Sequence, residues 1–214
     1  MSETLAGTRK RMSEPPEGIG TIPTSLAALN KRLSQSEPMV PGGKRAVLGE
    51  GPIGAELAFV GEQPGDQEDR QGHPFVGPAG LIFDRALDAA GIERRESYVT
   101  NAVKHFKHEE RGKRRLHQKP TVGEVMRYRW WLLKELEFVR PQLVVALGAT
   151  AALALSGAPV TIGRSRGPAK FGPLPGFITV HPSYLLRIRD DDDRTAAYND
   201  FVRDLRSARR LAHA

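Results

Sequence analysis

The fold of this chain is constrained most by one uninterrupted apolar run, Leu143 to Leu147. A strand with no polar alternation is buried on both faces, and strands of that kind belong to parallel sheets that are covered by helices. Pro141 comes before the run and Gly148 follows it, so the run has the length of a strand rather than of a helix. The run therefore predicts a buried strand of a parallel sheet.

Three further strand-like segments alternate with helical patterns. The alternation of strands and helices predicts an α/β fold, a three-layer α/β/α architecture with a central four-stranded parallel sheet. A short edge strand over 46–51 and a loose glycine- and proline-rich connection over 157–176 are also expected. The other three predicted strands cover residues 57–61, 98–103 and 177–180. The predicted helices cover residues 25–33, 79–90, 121–138, 150–155 and 192–212.

Composition limits what this chain can be. Its 214 residues suit one domain, expected over 25–214 behind a flexible tail of residues 1–24. The absence of cysteine excludes disulfides, thiol nucleophiles and thiolate-bound metals. No apolar run approaches the roughly 18 residues of a membrane span, so we expect a cytoplasmic protein without a membrane partner, and a monomer. The net charge of +7 favours a polyanionic partner such as nucleic acid.

Polar side chains gather where the predicted strands end. Right-handed crossovers place the carboxyl ends of all parallel strands on one rim, which is where ligands bind in such folds. Glu62 and Gln63 follow the first strand, Asn101 lies at the end of the second and His181 follows the last. A long loop of glycines and prolines also leaves the first strand and carries Phe75. A carboxylate, amides, an imidazole and a ring on one rim predict a site for a planar polar ligand.

A strongly basic segment, residues 104–119, follows the second strand. It holds seven lysines or arginines, three histidines and only two acidic residues. Such a segment is either a solvated loop or a surface that neutralises phosphates. His105 and His108 are three residues apart, but no third ligand has suitable spacing, so we expect no metal site.

Four segments carry a family resemblance. The motifs Gly61-Glu62-Gln63-Pro64-Gly65-Asp66 and Pro74-Phe75-Val76-Gly77-Pro78-Ala79-Gly80 together resemble motif A of the uracil-DNA glycosylase superfamily, nearest its iron–sulfur branches. Thr100-Asn101-Ala102-Val103-Lys104 resembles the strand whose asparagine reads uracil, and His181-Pro182-Ser183-Tyr184-Leu185-Leu186-Arg187 resembles motif B. The basic segment Gly112–Pro120 is similar to the loop of the UdgX type, whose histidine becomes attached to DNA.

The resemblance implies a role for each matching residue. The implied catalytic residues are Glu62, Gln63, His181 and His117. The implied uracil-binding residues are Gly61, Gln63, Asp66, Phe75, Asn101 and His181. The implied DNA-binding residues are Lys113, Arg114, Arg115, Ser183, Leu185 and Arg187, with Leu185 filling the space that a flipped base leaves.

Two departures from the family pattern matter. The iron–sulfur branches bind their cluster through four cysteines, but this chain has none, so we expect no cofactor. The segments 29–33 and 126–130 stand where cysteines would be expected, and apolar and aromatic packing is expected to replace the cluster. Gln63 stands where the best-known hydrolytic branch has aspartate, so water activation falls to Glu62 or to no residue.

The resemblance implies a monofunctional uracil-DNA glycosylase, a hydrolase that acts on uracil-containing DNA in base excision repair. One alternative is a UdgX-like protein that forms a covalent adduct through His117. That histidine has two other interpretations, a surface contact to phosphate or a helper that orients Glu62 or water. A third class, a catalytically silent nucleic-acid-binding module, is opposed by the intact set of Glu62, Phe75, Asn101 and His181.

Overall fold

The computed structural model describes residues 15–16 and 19–214. The strands are β1 (Leu57–Gly61), β2 (Tyr98–Asn101), β3 (His108–Arg111), β4 (Arg114–His117), β5 (Leu143–Leu147), β6 (Gly167–Phe171) and β7 (Leu174–Thr179). The α-helices are α1 (Leu26–Ser34), α2 (Asp66–Gln71), α3 (Pro78–Ala90), α4 (Val122–Val139), α5 (Ala149–Ser156), α6 (Ile162–Ser165) and α7 (Asp191–Ala212). Two 3₁₀ helices cover Arg94–Glu96 and Pro182–Arg187. Within this described part of the chain, no helix combines the length and apolarity needed to cross a bilayer.

The central sheet has five strands in the order β2-β1-β5-β7-β6. The first four are parallel neighbours, which confirms the predicted parallel sheet and its α/β class. The fifth, β6, pairs antiparallel with β7 at the edge, inside the segment predicted to be a loose connection. The sequence does not predict β6, because Gly167 and Pro168 argue against a strand. Proline is tolerated only at a sheet edge or bulge. The expected strand over 46–51 forms only a single bridge, between Glu50 and Val99.

Helices cover both faces of the sheet. Helices α3 and α7 pack on one face through Phe83, Leu87, Phe201 and Leu205. Helices α4 and α5 pack on the other through residues that include Tyr128. Alternate residues of β1 point to the two layers, which explains why all five are buried.

Helix α1 packs outside α4 in a smaller cluster. Leu29 and Leu33 meet Trp130 and Trp131 there, and Ile19 joins the same cluster. The packed part of the chain therefore begins before residue 25, the predicted start of the domain. Most of the predicted flexible tail, residues 1–14 and 17–18, lies outside the described residues.

The basic segment is not an irregular loop. Strands β3 and β4 form an antiparallel hairpin with a register that pairs His108 with His117. The two-residue turn begins at Gly112, whose φ of +61° suits the tight turns that join such strands. The hairpin fixes the position of His117, which a flexible loop would not do.

A buried ion pair ties α4 to the end of β2. Lys104 Nζ lies 2.5 Å from Glu135 Oε2, and both side chains are almost fully buried. The hydroxyls of Tyr98 and Thr100 donate to Glu135 Oε1 over 2.9 Å and 3.1 Å. Burial lowers the pKa of Lys104 and the charge of Glu135 opposes that shift. This network holds Thr100 and Lys104, which lie on either side of Asn101 in the sequence.

Replacing Glu135 by glutamine should strongly destabilise the protein. The change leaves Lys104 buried without its counter-charge, a loss of about 3–5 kcal/mol in the free energy of unfolding. Glu137→Gln on the same helix is the control, because it breaks the more exposed Lys134–Glu137 pair and should cost at most about 1 kcal/mol. Urea denaturation followed by circular dichroism measures both. Equal losses in the two variants would contradict the prediction.

Candidate active site

Four side chains from different elements meet at the carboxyl ends of the parallel strands. Glu62 follows β1, Asn101 ends β2, Thr150 lies in the first turn of α5 after β5, and His181 follows β7. Gly61 and Asn101 are partners in the sheet register, so Glu62 follows directly after the residue that is level with Asn101. The rim predicted from the sequence therefore exists.

The two carboxylate oxygens of Glu62 have different neighbours. Thr150 Oγ1 donates to Oε2 over 2.5 Å, and His117 Nε2 lies 3.4 Å from Oε1. Partial burial raises the pKa of Glu62, but the contacts with His117 and Thr150 and the charge of His181 lower it, and its pKa falls below the usual value. Glu62 is therefore a carboxylate at neutral pH, suited to stabilise a cation or to orient water.

His181 is a neutral hydrogen-bond donor. The backbone N–H of Ser183 donates to its Nδ1 over 3.1 Å, which leaves the ring proton on Nε2. Burial lowers the pKa of His181 to about 4, against the opposing charge of Glu62. A neutral imidazole with an Nε2–H group can donate to an oxygen on which negative charge develops.

Phe75 forms one wall of the rim. Its ring lies 5.9 Å from the His181 ring at an interplanar angle of 29° and 5.1 Å from the Phe83 ring. Gly61 separates Phe75 from Asn101, since a Cβ at that position would lie 2.5 Å from Phe75 Cζ and 2.4 Å from Asn101 Oδ1. Only a glycine allows the ring and the amide to approach the end of β1 this closely.

The loop that carries Phe75 is held at both ends. Phe75 has a φ of +56°, a left-handed conformation that costs about 1–3 kcal/mol and needs a supporting structure. Glu68, which is buried, accepts from the N–H of Gly65 over 3.0 Å and from the N–H of Gly77 over 2.8 Å. Gly80 lets α3 press on the loop, because a Cβ there would lie 1.9 Å from Phe75 O. Together these contacts hold the ring in place.

Gln63 binds the base of the β3–β4 hairpin. Its amide nitrogen donates to the carbonyls of Lys107 and Gln118 over 3.3 Å and 3.1 Å, and its oxygen accepts from the N–H of Lys107 over 3.1 Å. The predicted catalytic and base-binding roles of Gln63 give way to a structural one, because its buried amide is engaged with these backbone groups.

Two other predicted site residues bind each other. Arg115 Nε lies 2.5 Å from Asp66 Oδ1, and its second nitrogen lies 2.5 Å from Asp69 Oδ2. These charges join the hairpin to α2, so Asp66 and Arg115, predicted to bind the base and DNA, have a structural contact with each other. Lys113 and Arg114, at the turn of the hairpin, are exposed and face solvent as expected of a phosphate-binding surface.

The 3₁₀ helix Pro182–Arg187 corrects one further assignment. Leu185, predicted to fill the space of a flipped base, is only 1% exposed and packs in the core beside Phe177. Its neighbours Tyr184 and Leu186 are 45% and 50% exposed. Arg187 is exposed and Ser183 holds His181, so the apolar side chains that this segment offers to a partner are Tyr184 and Leu186.

Comparison with known proteins identifies the family. A sequence model of the uracil DNA glycosylase superfamily matches residues 48–206. The chain belongs to this superfamily. A type-4 uracil-DNA glycosylase of Thermotoga maritima is 38% identical over 157 residues, 72% of this chain and 78% of that protein. One of Pyrobaculum aerophilum is 32% identical over 171 residues, 76% and 81% of the two chains. One of Archaeoglobus fulgidus is 40% identical over 106 residues, half of each chain.

The residues of this superfamily member do not fit a thiolate-bound cluster. The chain has no cysteine, and its described residues contain no group of three or more histidines and acids that could hold a metal ion. Tyr128, in a segment where the resemblance expects cysteine, instead has its hydroxyl 2.7 Å from His105 Nδ1. The same hydroxyl accepts from the N–H of Met39 over 3.0 Å. Hydrogen bonds between side chains and backbone thus occupy this region.

Sequence reasoning missed two residues of the glycosylase site. The sequence places Thr150 at the start of the predicted helix 150–155 and carries no sign that its hydroxyl reaches Glu62. Glu68 lies in the segment between the first strand and the helix 79–90, where no helix is predicted, although a glutamate three residues after Gly65 follows the spacing of a helix-capping box. That spacing was the signal that could have found α2.

His181 should remain neutral down to about pH 4 with its proton on Nε2. Nitrogen-15 NMR of the ring reports both the tautomer and the titration. The unfolded chain binds this proton below about pH 6.5, so the stabilisation from the neutral ring is present above that pH and is lost as the pH falls toward 4. Ser183→Ala keeps the backbone donor and should keep the tautomer. A titration near pH 6.5, or a proton on Nδ1, would contradict this assignment.

Proposed function

We propose that this protein is a monofunctional uracil-DNA glycosylase that flips uracil out of DNA and hydrolyses the N-glycosidic bond, giving free uracil and an abasic site. The observation that carries the proposal is the rim where an ionised Glu62 and a neutral His181 lie beside Phe75 and Asn101. The names of the relatives and the family support the same activity.

Each side chain of the rim has a place in the reaction. The ring of Phe75 stacks on the flipped base, an interaction worth about 1–3 kcal/mol. The Asn101 amide donates to uracil O4 and accepts from N3–H. As the C1′–N1 bond breaks, its electrons move onto uracil, and His181 Nε2–H donates to O2 where this charge collects. Glu62 stabilises the oxocarbenium-like sugar and orients the water that attacks C1′.

The DNA strand is bound by exposed basic groups around the rim. Lys113 and Arg114 on the hairpin turn and Arg187 after the 3₁₀ helix are exposed and carry the phosphate contacts. Binding through phosphates releases counterions, so affinity falls as salt rises. We further propose that Ser183 contacts DNA, and that the protein acts as a monomer in the cytosol, at the nucleoid, as the sequence predicts.

The activity is tested with a labelled single-uracil oligonucleotide. Strand scission after alkali, at large substrate excess, is the expected result. His181→Asn should lower kcat about 10²-fold, because the shorter amide does not put an N–H group where the imidazole Nε2–H donates to the developing anion. His213→Asn is the matched control, since His213 is an exposed histidine beside Glu56 and away from the rim. No uracil release by the wild-type protein, or equal rates in the two variants, would overturn the proposal.

A second candidate reaction is covalent capture of the sugar by His117. It is favoured by one observation, an exposed imidazole whose Nε2 lies 3.4 Å from Glu62 and which the hairpin holds in place. In this reaction a nitrogen of His117 bonds to C1′, uracil leaves with the bonding electrons, and the imidazole proton passes to a base. A protein–DNA band that survives denaturant, saturates at one equivalent and is lost in His117→Ala would establish it. We favour turnover, with His117 assisting Glu62.

Leu186 should act only on paired DNA. Opening a duplex costs unstacking energy that an inserted side chain offsets, so Leu186→Ala should lower kcat/KM about tenfold on double-stranded substrate and leave single-stranded substrate unchanged. Ile53→Ala, another exposed apolar residue, is the control and should change neither rate. Leu185→Ala should instead cost about 2–5 kcal/mol of stability, because it opens a cavity in the core. A selective double-strand defect in Leu185→Ala, with Leu186→Ala like wild type, would reverse the assignment.

A further inference from the structure

The segment after β5 lies between the two groups that carry charge in the proposed reaction. Strand β5 is flanked by β1 and β7, so the turn Gly148–Thr150 lies between Glu62 and His181. The approach is close, since a Cβ on Gly148 would lie 3.0 Å from His181 Cβ, and Gly148 has a φ of +88°. Thr150, at the end of this turn, therefore lies next to Glu62.

Thr150 makes a direct contact with the reacting carboxylate. Its buried hydroxyl donates to Glu62 Oε2 over 2.5 Å. Thr150 lies in the first turn of α5, where the helix dipole also favours a negative charge. One oxygen of Glu62 is thus fixed by a donor that carries no charge of its own and does not titrate in the range where the enzyme works.

The other oxygen of Glu62, Oε1, faces titratable groups rather than a hydroxyl. From the hairpin, His117 Nε2 lies 3.4 Å from Oε1. From the end of β7, His181 is neutral above about pH 4 and gives little charge there. The effect of His181 on Glu62 changes as that ring titrates, whereas the hydroxyl of Thr150 stays uncharged.

We propose that Thr150 is the positioning residue for Glu62: its hydroxyl holds Oε2 and so aims Oε1 at the sugar and the attacking water. The inference rests on the proposed function and adds to it a residue that acts through the carboxylate. Without this donor the carboxylate loses one of its two side-chain contacts and is more easily protonated, so the enzyme loses rate and loses it first at low pH.

The test compares Thr150→Val with Thr150→Ser in single-turnover assays on a uracil oligonucleotide, over a pH range that extends below pH 4.5 so that the acid limb of the wild-type profile is included. Valine keeps the shape and removes the donor, whereas serine keeps the donor. Thr150→Val should lower the maximal rate roughly tenfold and move the acid limb of the rate profile up by about one pH unit, since a lost donor raises the pKa of Glu62. Thr150→Ser should restore both. Affinity for uracil DNA, measured on the slow Glu62→Gln background, should not change with either substitution.

Thr179→Val is the matched control. It removes a buried hydroxyl that donates to the Asp204 carboxylate and does not contact Glu62, so it should leave the acid limb in place even if stability falls. A Thr150→Val profile like that of wild type, or a lower rate with an unmoved acid limb, would overturn the inference while leaving the glycosylase activity intact. An inactive wild-type protein would overturn the proposed function first and the inference with it.

Discussion

The positions of Glu62, Asn101 and Thr150 depend on the parallel pairing of β1 with β2 on one side and with β5 on the other. The pairs are buried on both faces, so their register is fixed by two apolar layers at once, and a slip of one residue would turn each layer toward the wrong helices. With the register fixed, Glu62 and Asn101 lie within one residue of each other along neighbouring strands. The polar rim therefore needs no contact among its own members to assemble. The geometry of the rim is set by the packing of the core.

The hairpin that carries His117 is a part of the site that the central sheet does not place. It returns to the rim through two kinds of contact, the amide of Gln63 with the backbone at its base and the ion pairs of Arg115 with Asp66 and Asp69 along its side. These contacts place His117 beside Glu62, and the side chains of His117 and Glu62 take no part in them. His117 can therefore assist Glu62 or attack the sugar itself with no change of fold. Which of these two reactions occurs depends on the chemistry of one nitrogen of its ring.

The sequence predicts correctly the features that follow from hydrophobic periodicity and from the position of a residue at the end of a strand. The four parallel strands, the long helices and the rim with Glu62, Phe75, Asn101 and His181 follow from apolar runs and from the rule that parallel strands end on one side. It failed where contacts join distant parts of the chain. Arg115 meets acids more than forty residues away, so its charge looked free for DNA. Spacing within motif B could not tell whether Leu185 or Leu186 turns inward. The edge strand β6 was lost because Gly167 and Pro168 look like a loop.

The backbone contacts of Gln63 have a consequence for how this site can change during evolution. Its amide binds main-chain atoms of Lys107 and Gln118, so it specifies where the hairpin starts and ends but not which residues lie between. The cost of closing a loop grows slowly with its length. The tip of the hairpin can thus accept inserted, deleted or replaced residues. The strand ends that form the candidate rim stay the same. New substrates, or a new fate for the reactive sugar, become accessible by altering about ten residues that carry none of the protein's core.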